Sequence, residues 1–167
     1  GLHCGGALTI SDGADLTIAS GDDGIHSDDT LVISDGTIHI TRSYEGLEAV
    51  FITISGGDIS LVASDDGLNA AGGSSADTDF EFMGPPGGEG TAGTVIVSGP
   101  EASMNGALDY TTTGQITGGT LIACGASGMA QNFDSSSTQC SLLYNFDETF
   151  ESGTLEIAAQ TDERIDK

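Results

Sequence analysis

The chain has 167 residues, 37% of them hydrophobic, with 26 glycines and no tryptophan. That length and apolar content fit one domain with a modest core, and exclude a disordered or collagen-like chain. Twenty-six acidic residues against three basic ones give a net charge of −23, which excludes nucleic acid as a natural partner, because phosphate binding needs Lys and Arg.

Taken in chain order, two words recur. The first is a corner: "GLHC" at 1–4, "DDGIHS" at 22–27, "YEGLEA" at 44–49, "DDGLNA" at 65–70, "NGALDY" at 105–110 and "SGMAQN" at 127–132. Counted from Gly24, Gly46, Gly67 and Gly106, the repeat is roughly 22 residues, with one long interval after Gly67. The second word lies between the corners: "LTISDGADLTI" at 8–18, "LVISDGTIHI" at 31–40, "ITISGGDISL" at 52–61, "VIVSGPEASM" at 95–104 and "ITGGTLIA" at 116–123. Apolar residues there alternate with Thr, Ser or His on either side of a glycine turn, which is the strand signature. Leu8/Ile10, Leu31/Ile33 and Ile52/Ile54 fall on one side, as do Leu16/Ile18, Ile38/Ile40 and Ile59/Leu61.

A leucine-rich repeat has a similar period but needs an LxxLxLxxN word, which is absent. Short strands and turns in each period instead predict an all-β fold, a parallel β-helix (a solenoid) of about six coils of roughly 22 residues. The whole chain, 1–167, reads as a single β-helix domain. Two loop excursions leave it, one near 72–93, rich in Gly, Pro and Ser with "FEF" as a small apolar anchor, and one near 132–153. No run of 18 apolar residues predicts a membrane span, and Gly1, opening inside a repeat, reads as the start of a trimmed chain.

Stacking turns register into proximity, since coils lie about 4.8 Å apart. With Gly24, Gly46, Gly67 and Gly106 aligned, the preceding pairs are Asp22-Asp23, Tyr44-Glu45, Asp65-Asp66 and Met104-Asn105, and two positions on stand His26, Glu48, Asn69 and Leu108. One Asp-Asp-Gly is ordinary turn chemistry, with Asp capping the turn and Gly supplying positive φ. Several in one column are another matter, because stacked carboxylates repel. Calcium, which takes six to eight oxygens in flexible geometry, suits such a ladder; Mg²⁺ wants stricter geometry, and zinc more His or Cys. The expected ligands are Asp22, Asp23, Glu45, Glu48, Asp65, Asp66 and Asn69. His3 and His26 share a register and are expected to stack or to cap the turn.

The stretches "DDGIHSDDTLVISDGTIHI", "ISGGDISLVASDDGLNAAGG" and, over 94–143, "TVIVSGP…NGALDY…ITGGTLIACGASGMAQ…SSSTQCSLL" resemble a family of secreted bacterial calcium-binding, carbohydrate-binding proteins. The resemblance implies a right-handed, pectate-lyase-like β-helix, binding to cellulose or to acidic sugars such as polygalacturonate, and a secreted or cell-surface location. It also implies Ca²⁺ at the acidic corners. Asp65, Asp66 and Asn69 are similar to the calcium ligands of one polysaccharide lyase family, and Asp22, Asp23 and His26 less closely so.

A lyase of this fold needs a Lys or Arg base. Arg42 is the only basic residue near the column, and an acidic surrounding opposes the depressed pKa it would need. The expectation is therefore a non-catalytic, calcium-dependent polysaccharide-binding module, with Arg42, Tyr44, Asp109 and Tyr110 as candidate sugar contacts. The alternatives are a structural or adhesive filament subunit stacking through open coil ends, and a polysaccharide lyase. Of the three cysteines, Cys124 and Cys140 are placed to pair if the second excursion folds back, leaving Cys4 as a buried thiol or a link between subunits.

Overall fold

A computed structural model describes residues 1–71, 79–82 and 93–148. Among these residues, thirteen strands follow in chain order: β1 (Leu2–Cys4), β2 (Leu8–Ile10), β3 (Asp15–Ala19), β4 (Ile25–Ile33), β5 (Thr37–Ser43), β6 (Leu47–Ile54), β7 (Asp58–Ala63), β8 (Leu68–Ala70), β9 (Asp79–Phe82), β10 (Thr94–Ser98), β11 (Leu108–Tyr110), β12 (Thr113–Ile116) and β13 (Thr120–Cys124). No helix occurs among the described residues. Every strand pairing is parallel, and the partners come from successive coils.

The chain is thus a parallel β-solenoid. One sheet stacks β1-β4-β6-β8-β11, with β2, β9 and β12 continuing the same rungs, and the other stacks β3-β5-β7-β10-β13. Five stacked positions make about four turns, fewer than the six coils expected. The word at 127–132 forms no strand. Instead, side chains from 131–137 cap the last rung. The Gln131 side-chain carbonyl accepts from the Tyr110 N–H at 2.9 Å, Asp134 Oδ2 from Gly114 N–H at 3.1 Å, and Ser137 Oγ from Ile116 N–H at 3.1 Å. This satisfies backbone donors that an open edge would expose.

The interior follows the alternation. Leu2, Ile25, Leu47, Leu68 and Leu108 form one row; Leu8, Leu31 and Ile52 a second; Ile10, Ile33 and Ile54 a third; Leu16, Ile38, Ile59, Val95 and Leu121 a fourth. Ile25, Leu31, Ile33, Ile38, Ile40, Leu47 and Ile54 are wholly buried, and each contributes about 1.5–3 kcal/mol through removal from water. The stretch near 72–93 is not one loop. β9 lies within it and pairs with Phe51–Ile54 of β6 and Thr113–Ile116 of β12, restoring the rung. The alternating apolar residues of "DFEF" were the strand signal there. The rest of that stretch, and 149–153 of the second excursion, lie outside the described residues. All three cysteines are free thiols, so Cys124 and Cys140 do not pair.

The corner glycines differ from expectation. Gly24, Gly46 and Gly67 do not have positive φ; Gly13, Gly36, Gly57 and Gly119, in the other turns, do. The corners need glycine for close approach. A Cβ on Gly46 would lie 2.3 Å from the Gly67 carbonyl oxygen and 2.7 Å from a Leu61 methyl.

The fifth rung also slips by one residue. Leu68 N–H donates to the Ala107 carbonyl, so Ala107, not Gly106, stands opposite Gly67. Gly106 then faces Asp66, Leu108 takes the core position, and Asp109 pairs with Asn69.

Candidate metal and carbohydrate site

Two outer rows meet at the corners. The residue before each glycine gives Asp23, Glu45 and Asp66 on successive coils. One residue into the strand, Ile25, Leu47 and Leu68 point inward, so the next position points out. That position gives His3, His26, Glu48, Asn69 and Asp109 in register. The expected ligands therefore do converge from separate coils, but as two clusters. Asp22 joins neither; it is exposed, and its carbonyl accepts from the Tyr44 N–H.

The first cluster is Glu45, Asp65 and Asp66, each offering an oxygen within 4.8 Å of the others. Asp66 is buried, and its Oδ1 accepts from Gly106 N–H at 2.7 Å. Asp65 accepts from the Asn105 side-chain amide. Asn69 is buried beside Glu45. Two buried oxygens, Glu45 Oε2 and Asn69 Oδ1, have no hydrogen-bond partner, and an orphaned buried acceptor costs about 1–3 kcal/mol. Burial pushes the Glu45 carboxyl up to about 7, with Glu48, Asp23 and Asp66 adding repulsion against a hydrogen bond from Asn69. Burial likewise raises Asp66, against the Gly106 N–H, with Asp109 and Asp65 adding to it. Water would satisfy the two acceptors but leave the charges in place. A hard divalent cation does both, and the all-oxygen donor set of Glu45, Asp65, Asp66 and Asn69 suits calcium.

The second cluster contains His26. Its Nδ1 lies 3.1 Å from Asp23 Oδ2 and 2.8 Å from Glu48 Oε2, and its Nε2 lies 3.2 Å from Asp28 Oδ1. His3 Nε2 reaches the same Asp28 oxygen at 2.9 Å. The two rings do approach as expected, with centroids 4.6 Å apart, but tilted by 44°. Burial pushes Glu48 up and its repulsion by Asp23 adds to this, while His26 opposes it. Burial would lower His26, yet the Asp23 hydrogen bond and the charges of Glu48, Asp23 and Asp28 raise it overall. Asp28 falls below the ordinary carboxylate range through its hydrogen bond to His3.

The four candidate sugar contacts separate. Tyr44 is half-exposed, and the charge of Asp65, with a hydrogen bond to it, pushes its phenol up. Asp109 acts on Asp66 by its charge, so both border the first cluster. Arg42 is exposed near the end of β5. Tyr110 differs: its partly buried ring packs against the core beside Gly114, and its hydroxyl donates to the Asn132 carbonyl. Its inward place follows from the slip of the fifth rung, which puts it in line with Ala70. Counting alternation from Leu108 rather than from Gly106 would have found both facts.

A parallel β-solenoid with an acidic outer row at its corners is the class of protein that fold and site define. The chain belongs to the family described as carbohydrate-binding domain-containing protein, whose model matches residues 1–166. No curated protein and no solved structure matches it. Membership supports carbohydrate binding and a non-catalytic role. No helix among the described residues is long and apolar enough to cross a membrane.

Proposed function

We propose that the protein binds acidic polysaccharide outside the cell through calcium held by Glu45, Asp65, Asp66 and Asn69. The observation that carries this reading is the pair of orphaned buried oxygens, Glu45 Oε2 and Asn69 Oδ1, beside two further carboxylates. Calcium accepts more oxygens than one such cluster supplies, so a uronate carboxylate completes its shell and is bridged to a surface that otherwise repels it. Tyr44, half-exposed beside Asp65, offers a ring face to a sugar.

A lyase needs a base, and among the described residues the one Lys or Arg is Arg42. A filament built by stacking coil ends needs open ladders, and the capping of β11 and β12 by 131–137 favours a binding module over that arrangement. The test is sedimentation with polygalacturonate in calcium and in EDTA. Binding that survives chelation, or that Asp66→Asn leaves intact, removes calcium from the reading. Appearance of unsaturated product absorbance turns the binder into a lyase.

A further inference from the structure

We propose that His3, His26 and Asp28 form a second cation site, selective for a borderline transition metal of the Zn²⁺ class and separate from the oxygen-only cluster. Three observations carry it. First, the donors converge: His3 Nε2 and His26 Nε2 both face Asp28 Oδ1, at 2.9 and 3.2 Å, and the three residues offer donor atoms within 4.8 Å of one another. Zinc bonds of about 2.0–2.2 Å in tetrahedral array hold donors about 3.3–3.5 Å apart, so insertion of the ion needs only small side-chain movements.

Second, the far side of His26 is built as metal-bound imidazoles are. Its Nδ1 faces two carboxylates, Glu48 Oε2 at 2.8 Å and Asp23 Oδ2 at 3.1 Å, and must carry the hydrogen. In neutral His26 this leaves the Nε2 lone pair facing the Asp28 carboxylate, a repulsion that either a proton or a metal cation between them relieves. Carboxylates behind the ring fix its tautomer and raise its basicity toward a metal. Third, a recess of about 210 Å³ borders His26, Asp28 and Glu48, with Ala49 and Val50 on its wall. It gives water or an arriving carboxylate room on the His26–Asp28 side of the site.

Two imidazole nitrogens and one carboxylate discriminate against calcium, which prefers an all-oxygen shell, and favour zinc-class ions. Asp23 and Glu48, expected from sequence to bind calcium, act in this site from behind His26. The inference does not depend on the calcium reading.

The experiment is titration of the calcium-saturated protein with Zn²⁺, followed by calorimetry and by histidine ring NMR. The expected result is one Zn²⁺ per chain, not displaced by excess calcium. The rings of His3 and His26 shift, and that of His39, which bonds Ser60 on the other sheet, does not. His3→Ala, at an exposed position, and His26→Ala abolish the binding; Glu48→Gln weakens it about 10-fold; Asp66→Asn leaves it unchanged. Failure of wild type to bind Zn²⁺ in calcium overturns the proposal. So does displacement by calcium, wild-type affinity in either histidine variant, or a shift of His39 alone.

Discussion

The molecule has two kinds of glycine corner, most of them preceded by an acidic residue, alike in sequence and different in physics. In the turns at Gly13, Gly36 and Gly57 the glycine has positive φ. There Asp35 spends both oxygens on backbone, accepting from Gly13 N–H at 2.9 Å and from Gly36 N–H at 2.8 Å. In the corners at Gly24, Gly46 and Gly67 the glycine is needed for close packing, the acidic residue just before it is partly or wholly buried, and Glu45 at the Gly46 corner and Asn69 beside it each keep an unpartnered oxygen. An aspartate that has consumed its oxygens on the turn is structural. One whose neighbours keep unpartnered oxygens in a buried setting is placed to meet a ligand.

The sharpest way to break this contrast is Gly46→Ala. Its Cβ meets a backbone carbonyl that cannot swing away, so a loss of about 3 kcal/mol is expected in denaturant unfolding. A loss no greater than that of Gly13→Ala would show that close approach is not what the corner requires. Next comes calcium itself. At free calcium 100 times the dissociation constant, binding stabilises by about 2.7 kcal/mol. Asp66→Asn, which keeps the Oδ1 acceptor for Gly106, is expected to abolish that gain in a thermal melt, whereas Asp35→Asn keeps it.

A smaller effect concerns pH. In EDTA the folded protein holds the Glu45 proton up to about 7, against an ordinary value of 4.5. The folded state then binds more protons than the unfolded chain between those values, and stability falls as pH rises through that window. Asp66, Glu48 and His26 are raised as well and act in the same direction. The melting temperature in EDTA should therefore drop on going from about pH 5 to about pH 7.5, and calcium should remove most of the drop. A flat profile in EDTA would mean the cluster is solvated. The smallest effect is Gly13→Ala, where a Cβ meets nothing within 4 Å and only the positive φ is strained; about 1 kcal/mol is expected.

Much of the fold was legible because alternation and the 22-residue period are local signals that add up across coils. The rows Leu8/Leu31/Ile52 and Leu16/Ile38/Ile59 follow from them directly. The acidic column was legible for the same reason. What went astray did so where a one-residue choice had no local signal. "NGALDY" aligns its glycine with Gly67 by eye, yet burial of Leu108 beside Leu68 outweighs the match and moves Ala107 into the corner. Asp109 thereby enters the outer row and Tyr110 turns inward.

Sequence by itself determined the solenoid, its inner rows and the gathering of acidic residues at one corner, since each repeat carries the same instruction and stacking multiplies it. Tertiary structure alone decided how that corner divides. Depth of burial leaves Glu45 and Asn69 with unpartnered oxygens, while a few ångströms away the side chains of Asp23, Glu48 and Asp28 close around His26. Which atoms face one another, and which face no partner, depends on side-chain direction and depth, and periodicity records neither.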